Sequence, residues 1–173
     1  MFPYRYIFWV AFCCFLGANT VGAQRVSFVI FDEFSELANR IQQAEPNPVV
    51  VHFWATWCTP CIKEIHLFEE VAEKYTDNHL EVLLVSLDFR SELTKFASFV
   101  EKQGFAHVEW ALIADQRTND WMPLMSELWS GAVPATFIYR GASSSFRQGI
   151  FADFEDLEAF ISPLTLPAYA PRE

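Results

Sequence analysis

Positive charge is scarce in this chain of 173 residues, which carries 12 Lys and Arg against 22 Asp and Glu and has a net charge of −10 at pH 7. Proteins that bind a nucleic-acid backbone depend on clustered Lys and Arg side chains. The charge balance therefore argues against a nucleic-acid partner, and equally against adhesion to anionic lipid.

A long membrane-spanning run is also lacking, because the apolar stretch near the N-terminus covers only residues 7–18. A spanning helix needs about 20 apolar residues. Arg5 precedes the stretch and the small residues VGA follow it at 21–23, which is the pattern of a secretory signal. We predict a signal peptide at 1–23. The alternative is an uncleaved anchor, because aromatic residues at 2, 4 and 6 lengthen the apolar stretch.

Cysteine is also scarce, with four residues in the whole chain. Cys13 and Cys14 lie inside the predicted signal, so the mature chain would keep only Cys58 and Cys61. Disulfides that stabilise exported proteins usually close long loops, because these constrain the unfolded chain more. A bridge across so short a loop would stabilise little. A redox role therefore accounts for the pair better than a stabilising disulfide does.

Strand and helix patterns alternate along the remaining chain. Residues 49–54 form an apolar run interrupted only by His52, as expected for a strand buried on both faces. A hairpin is predicted near residues 135–149, and a last helix after Asp153. These patterns predict an α/β domain at 24–162 with a mixed central sheet flanked by helices. The three prolines from Pro163 onward predict a loose tail at 163–173.

The pair Cys58 and Cys61 carries the chemistry. Cys58 follows the predicted strand and opens a helix, where first-turn N–H groups favour a thiolate and lower the thiol pKa below about 8.5. Cys61 lies one turn further along, within reach of a mixed disulfide on Cys58. We therefore assign Cys58 as the nucleophile and Cys61 as the resolving thiol. Pro60 stiffens the turn, and Trp57 can cover one side of the sulfur.

Three alternative roles for the pair are less well supported. Structural zinc needs about four ligands, and the nearby His52 and His66 fit no usual ligand spacing, so we expect no metal site. Haem attachment requires His after the second cysteine, where this chain has Ile62. An inert structural disulfide is disfavoured by the short loop.

Three motifs resemble the TlpA/ResA branch of thioredoxin-like proteins: FWATWCTPC at 53–61, VSLD at 85–88 and WSGAVPAT at 129–136. The resemblance implies a thioredoxin-like fold with an insertion between its two halves. It also implies an oxidoreductase of the periplasm or another extracytoplasmic compartment that acts on protein thiols and disulfides, often as a reductant. A membrane-embedded thiol electron donor would supply it, and the redox-active disulfide would need no further cofactor.

The resemblance adds two places, the Val133–Pro134 loop and Glu64, and it gives His52 a counterpart in thioredoxin. Val133 and Pro134 match a loop where the family has a cis-proline beside the cysteines, and where the backbone pairs with substrate. Glu64 matches a glutamate that can carry the proton of Cys61, with an exposed helix acid as the alternative. His52 occupies the place of a buried acid in thioredoxin. It can take part in proton transfer, although a strand histidine is more often simply packed.

We therefore predict disulfide reduction in protein partners outside the cytoplasm, with Trp57, Thr59 and Pro60 joining the Val133–Pro134 loop in substrate binding. The dipeptide at 59–60 does not settle the redox direction, which leaves a dithiol oxidase or isomerase as an alternative. A second alternative function is that of a non-catalytic binding module with the same fold. Membrane contact is expected only if the N-terminal segment stays uncleaved.

Overall fold

A computed structural model describes residues 27–165 of the chain. The predicted signal peptide, with Cys13 and Cys14, and the end of the predicted tail lie outside the described residues. Within 27–165, none of the helices has the length and apolar character needed to cross a membrane.

The described part of the chain forms one six-stranded sheet in the order β1-β4-β3-β2-β5-β6. The first four strands in that order run parallel, whereas β5 and β6 are antiparallel to their neighbours. The predicted mixed sheet is therefore confirmed. The strands are β1 Phe28–Phe31, β2 Val49–Trp54, β3 Glu81–Ser86, β4 Glu109–Ile113, β5 Ala135–Arg140 and β6 Ser143–Gln148.

Helices connect the strands and cover both faces of the sheet. They are α1 Phe34–Gln43, α2 Thr59–Lys74, α3 Leu93–Gln103, α4 Thr118–Met125 and α5 Phe154–Thr165. One half of the domain is β2-α2-β3 and the other is the β5-β6 hairpin with α5. The segment α3-β4-α4 joins these halves, which is where the sequence predicted an insertion.

The core has two apolar layers, one on each face of the sheet. Side chains of α2, α3 and α5 pack on one face, and side chains of α1 and α4 pack on the other. All of β2 is buried, which explains its nearly continuous apolar sequence. Val50 and Trp54 belong to the α2 layer. Because side chains alternate along a strand, His52 lies on that face too, and its ring is 4.0 Å from that of Phe68.

The predicted boundary at residue 162 is wrong, because α5 continues to Thr165 with Pro163 inside it. Proline lacks the N–H that would bond to the carbonyl four residues earlier, and this loss normally ends or kinks a helix. Here the Ser162 hydroxyl donates to that carbonyl, on Ala159, at 3.4 Å. Thr165 is buried, so tertiary packing also holds the last turn. Residues 166–173 lie outside the described part of the chain.

Candidate active site

Cys58 stands between the end of β2 and the start of α2. Its extended backbone makes it the N-cap residue, with φ −88° and ψ 92°. Its Sγ accepts a hydrogen bond from the Cys61 N–H at 3.3 Å. A helix leaves its first N–H groups without backbone partners, and a side-chain acceptor at the N-cap satisfies one of them. Pro60 fits in the first turn because it brings no such N–H.

A disulfide joins Cys58 to Cys61. Cys58 is 5 % exposed, and Cys61 is completely buried. A partner sulfur approaching from solvent therefore meets Cys58 first. This difference in access supports the predicted roles, in which Cys58 attacks and Cys61 resolves.

The loop before β5 lies beside the disulfide. Phe53 pairs with Ala135 across β2 and β5, so Pro134 comes next to the carboxyl end of β2. The Val133–Pro134 peptide bond is cis, as predicted. The carbonyl oxygen of Val133 lies 3.8 Å from Sγ of Cys58. The loop thus presents backbone directly at the sulfur that a partner would reach.

The other predicted substrate-binding residues surround Cys58 on the surface. Thr59 and Pro60 are exposed at the start of α2, and Trp57 is 56 % exposed, which is high for so large an apolar side chain. Phe89, on the loop after β3, is exposed to a similar extent. Exposed aromatic side chains of this kind often mark protein-binding surfaces.

A buried carboxyl group fixes the segment that leads into Cys58. Asp88 is fully buried after β3. Its oxygens accept hydrogen bonds from the Thr56 N–H at 2.9 Å, the Thr56 hydroxyl at 2.7 Å and the Ser86 hydroxyl at 2.6 Å. The sequence motif at 85–88 contained this residue, but nothing in the spacing indicated its partners. Asp88 therefore positions the turn between β2 and Cys58.

Glu64 is buried, not exposed on the helix surface. Its side chain is 4 % exposed, and its Oε2 accepts a hydrogen bond from the Phe151 N–H at 2.6 Å. Burial raises the pKa of Glu64 from 4.5 to about 7, although the Phe151 N–H and the charge of Arg147 act in the opposite direction. Glu64 lies three residues after Cys61, so the two side chains share a helix face. The carboxyl group can thus exchange a proton near neutral pH.

His52 is completely buried on the same side of the sheet. Its Nδ1 lies 2.9 Å from the hydroxyl of Thr136, which faces it across β2 and β5. Its Nε2 lies 3.8 Å from Oε1 of Glu64. Burial lowers the pKa of His52 to about 3, so the imidazole is neutral at physiological pH. The structure therefore brings His52 to Glu64, a contact that the sequence did not predict.

A cleft of about 530 Å³ opens beside the site. Its walls come from the first turns of α2 and from the segment that joins β6 to α5, including Pro60, Leu67, Ile150 and Phe154. Glu64 also lines it, so this side chain borders the cleft. Among residues 27–165, no group of three or more His, Cys, Asp and Glu side chains is arranged to hold a metal ion.

Comparison of the sequence with known proteins finds a matching family. The family described as AhpC/TSA matches residues 21–142. The thiol-disulfide oxidoreductase ResA of Halalkalibacterium halodurans is 29% identical over 114 residues, which cover 66% of this chain and 61% of the relative. Across the first three curated relatives, the matched region covers between 31% and 61% of their length. The matches to ResA confirm the resemblance inferred from the motifs.

Solved structures show the fold. A thiol:disulfide interchange protein DsbE from Chlorobium tepidum superposes with a TM-score of 0.58 at 24% identity, covering 72% of this chain and 84% of the other. A secreted disulfide oxidoreductase of Mycobacterium tuberculosis gives a TM-score of 0.54 at 21% identity, covering 70% and 85%. The predicted thioredoxin-like fold is therefore confirmed.

The Asp88 network yields a stability prediction. Asp88→Ala leaves the Thr56 N–H and the hydroxyls of Thr56 and Ser86 without their acceptor. Hydrogen bonds to charged groups contribute about 1.5–3 kcal/mol each, so we expect the free energy of unfolding to fall by about 3 kcal/mol or more. Urea unfolding of the disulfide form measures it. The matched control is Asp77→Ala, which removes an exposed carboxylate and should change stability by less than about 0.5 kcal/mol. Equal losses in the two variants would contradict the assigned role.

The raised pKa of Glu64 yields a pH prediction. The folded protein binds the Glu64 proton more tightly than the unfolded chain does, so Glu64 contributes stability below pH 4.5 that is lost as pH rises through about 7. We expect this loss to be about 3 kcal/mol and to be absent in Glu64→Gln. Urea unfolding of the disulfide form at pH 5 and pH 8 measures it.

The comparison of wild type with Glu64→Gln isolates this effect. His52 has the opposite pH dependence, because its pKa is lowered, but it is present in both proteins and largely cancels. The control is Glu70→Gln, which changes an exposed glutamate of the same helix and should leave the pH dependence unaltered. A stability difference between wild type and Glu64→Gln that stays constant with pH would refute the predicted proton binding.

Proposed function

The chain belongs to the AhpC/TSA family of thioredoxin-like proteins, and from that premise we propose that it is an extracytoplasmic thiol–disulfide oxidoreductase that reduces disulfides in protein partners. The observation that carries the proposal is the Cys58–Cys61 disulfide at the start of α2, with the Cys61 N–H directed at Sγ of Cys58. That N–H stabilises a thiolate at Cys58, and the thiolate is the attacking species in disulfide exchange.

The reaction begins with the reduced pair. The Cys58 thiolate attacks one sulfur of a partner disulfide, so the partner S–S bond breaks and the other partner sulfur leaves as a thiolate. Cys61 then gives its proton to the Glu64 carboxylate, and its sulfur attacks Cys58. The mixed disulfide breaks, the Cys58–Cys61 bond forms, and the second partner sulfur leaves. Two electrons have passed from the cysteine pair to the partner, and the pair itself is the only redox group required.

Substrate recognition uses the surface around Cys58. The Val133 carbonyl, 3.8 Å from Sγ of Cys58, is in place to accept an N–H from an extended partner chain that pairs as an added strand. The exposed Trp57, Thr59 and Pro60 give a second contact surface on the α2 side. Main-chain pairing of this kind favours extended protein segments that contain a disulfide.

Location and electron supply form a further part of the proposal. An extracytoplasmic, periplasm-type location is supported by the predicted signal at 1–23 and by the fold shared with the secreted disulfide oxidoreductase of Mycobacterium tuberculosis. A protein that reduces disulfides there must be reduced again after each turnover. We assign that step to a membrane-embedded thiol donor, because the reducing equivalents originate on the other side of the membrane.

Two cysteine variants test the catalytic roles. Cys58→Ser should abolish turnover of a protein disulfide substrate, because no thiolate remains to attack. Cys61→Ser should instead accumulate a mixed disulfide between Cys58 and the substrate, because the resolving thiol is missing. Non-reducing gel electrophoresis and mass spectrometry identify the adduct, and the double variant provides the control without one. Undiminished turnover in Cys58→Ser would refute the proposal and favour a binding module.

The redox direction rests on the reduction potential of the pair. A reductant should have a potential near that of thioredoxin, about −270 mV, whereas a dithiol oxidase lies near −120 mV. Equilibration with glutathione or dithiothreitol buffers, followed by alkylation of free thiols, measures the potential. We expect the value near −270 mV. A value near −120 mV would reassign the chain as an oxidase and leave the roles of both cysteines unchanged.

A further inference from the structure

Two buried polar atoms face each other behind the cysteine pair without a hydrogen-bond partner. They are Nε2 of His52 and Oε1 of Glu64, and they lie 3.8 Å apart. A bridging water would need its two partners roughly 5 Å apart, so the gap is too short to hold one. Closing it by about 1 Å or less gives a direct hydrogen bond.

The other end of each side chain is already fixed. Nδ1 of His52 is bonded to the Thr136 hydroxyl at 2.9 Å, and Oε2 of Glu64 accepts the Phe151 N–H at 2.6 Å. The imidazole also packs on the ring of Phe68. Neither group can turn to another partner without breaking these contacts. The free atoms are therefore held toward each other.

The Thr136 hydroxyl permits either neutral form of the imidazole, because a hydroxyl both donates and accepts. When Nδ1 carries the proton, it donates to Thr136 and Nε2 can accept from a protonated Glu64. When Nε2 carries the proton, it donates to the Glu64 carboxylate and Nδ1 accepts from Thr136. Once the gap is closed, the contact can thus be a hydrogen bond in both protonation states of Glu64, and His52 never has to become charged.

We propose that His52 and Glu64 form a single acid–base unit, in which His52 is a positioning residue that hydrogen-bonds the carboxyl group of Glu64 through Nε2 and changes tautomer as Glu64 gains or loses its proton. The inference rests on the proposed function in naming Cys61 as the source of that proton. It goes beyond that function by giving the carboxyl group a buried partner.

The unit connects the resolving thiol to solvent. Cys61 and Glu64 share a face of α2, and Glu64 lines the cleft between α2 and the segment after β6. A proton taken from Cys61 by the carboxylate can therefore leave through the cleft. His52 is completely buried, so it does not itself exchange protons with water. Its role is to adjust the proton affinity of the Glu64 carboxyl group.

The charges around the unit largely offset each other. Arg147 of β6 and Asp156 of α5 act on Glu64 in opposite directions, and they are paired with each other at 2.7 Å. Lys63 and His66 on α2, and Asp153 before α5, line the same cleft. Burial lowers the pKa of His52 and raises that of Glu64, which disfavours an ion pair and leaves both groups neutral below the Glu64 midpoint.

The test is an NMR titration of the full chain in its disulfide form, in which neither Cys58 nor Cys61 titrates. Histidine ¹⁵N shifts report which ring nitrogen carries the proton, and the side-chain ¹³C shift of Glu64 reports its ionisation. We expect the His52 tautomer to change with the same midpoint as Glu64, and to stay constant with pH in Glu64→Gln. A constant tautomer in the wild-type protein, or a second proton on His52 at that midpoint, would overturn the proposal.

Two substitutions of His52 separate its two contacts. His52→Gln keeps a polar group near the position of Nε2, whereas His52→Asn keeps one only near Nδ1. We expect the Glu64 midpoint to change by about one pH unit in His52→Asn, a roughly tenfold change in proton affinity, and by less than about 0.3 unit in His52→Gln. Identical midpoints in both variants would contradict the predicted Nε2 contact.

The titrations need no turnover, so they fail or succeed independently of the proposed function. Coupled titration in a chain without Cys58-dependent reductase activity would retain the acid–base unit and reject the reductase. Reductase activity in a chain whose His52 tautomer does not follow Glu64 would retain the reductase and reject the acid–base unit.

Discussion

The first turn of α2 stands over the carboxyl end of β2, and Cys58 occupies the junction as the N-cap residue. This placement directs the Cys61 N–H, a first-turn donor, at the sulfur, which is the arrangement that favours a thiolate once the pair is reduced. It also determines which neighbours the sulfur has. The carboxyl ends of β2 and β3 lie side by side, so Asp88 can fix Thr56, and the antiparallel β5 begins where β2 ends, so Val133 reaches Cys58.

Burial of β2 on both faces has a second consequence for the chemistry. A strand with no exposed side has no place for a solvated polar side chain, so His52 must find its partners inside the α2 layer. The same exclusion of water raises the pKa of Glu64 toward neutrality. Poor solvation suits the carboxyl group to the proposed proton transfer, and for the same reason ionisation of this group weakens the folded state as the pH rises.

The sequence predicted those parts of the structure that depend on local order. The cysteine spacing, the apolar run of β2 and the hairpin near the C-terminus each follow from neighbouring residues, and the cis bond before Pro134 followed from a motif. The partners of Asp88, Glu64 and His52 could not be predicted in this way. They lie 32, 87 and 84 positions away in the chain, so only the tertiary arrangement of β2 with β3, β5 and α2 brings them together. The end of α5 was missed for a local reason, because the Ser162 hydroxyl bonds to the carbonyl that Pro163 leaves free.

The positions of His52 and Glu64 also explain why we assign them different roles in proton transfer. A group on β2 is enclosed by α2 and the sheet, so a proton placed on His52 has no short route to water. A group on α2, one turn after Cys61, shares a helix face with the thiol and borders the cleft. We therefore propose that the carboxyl group carries the proton and that the histidine adjusts how tightly the carboxyl group holds it. An acid on the helix, and not on the strand, lies beside the cleft while Cys61 itself stays buried.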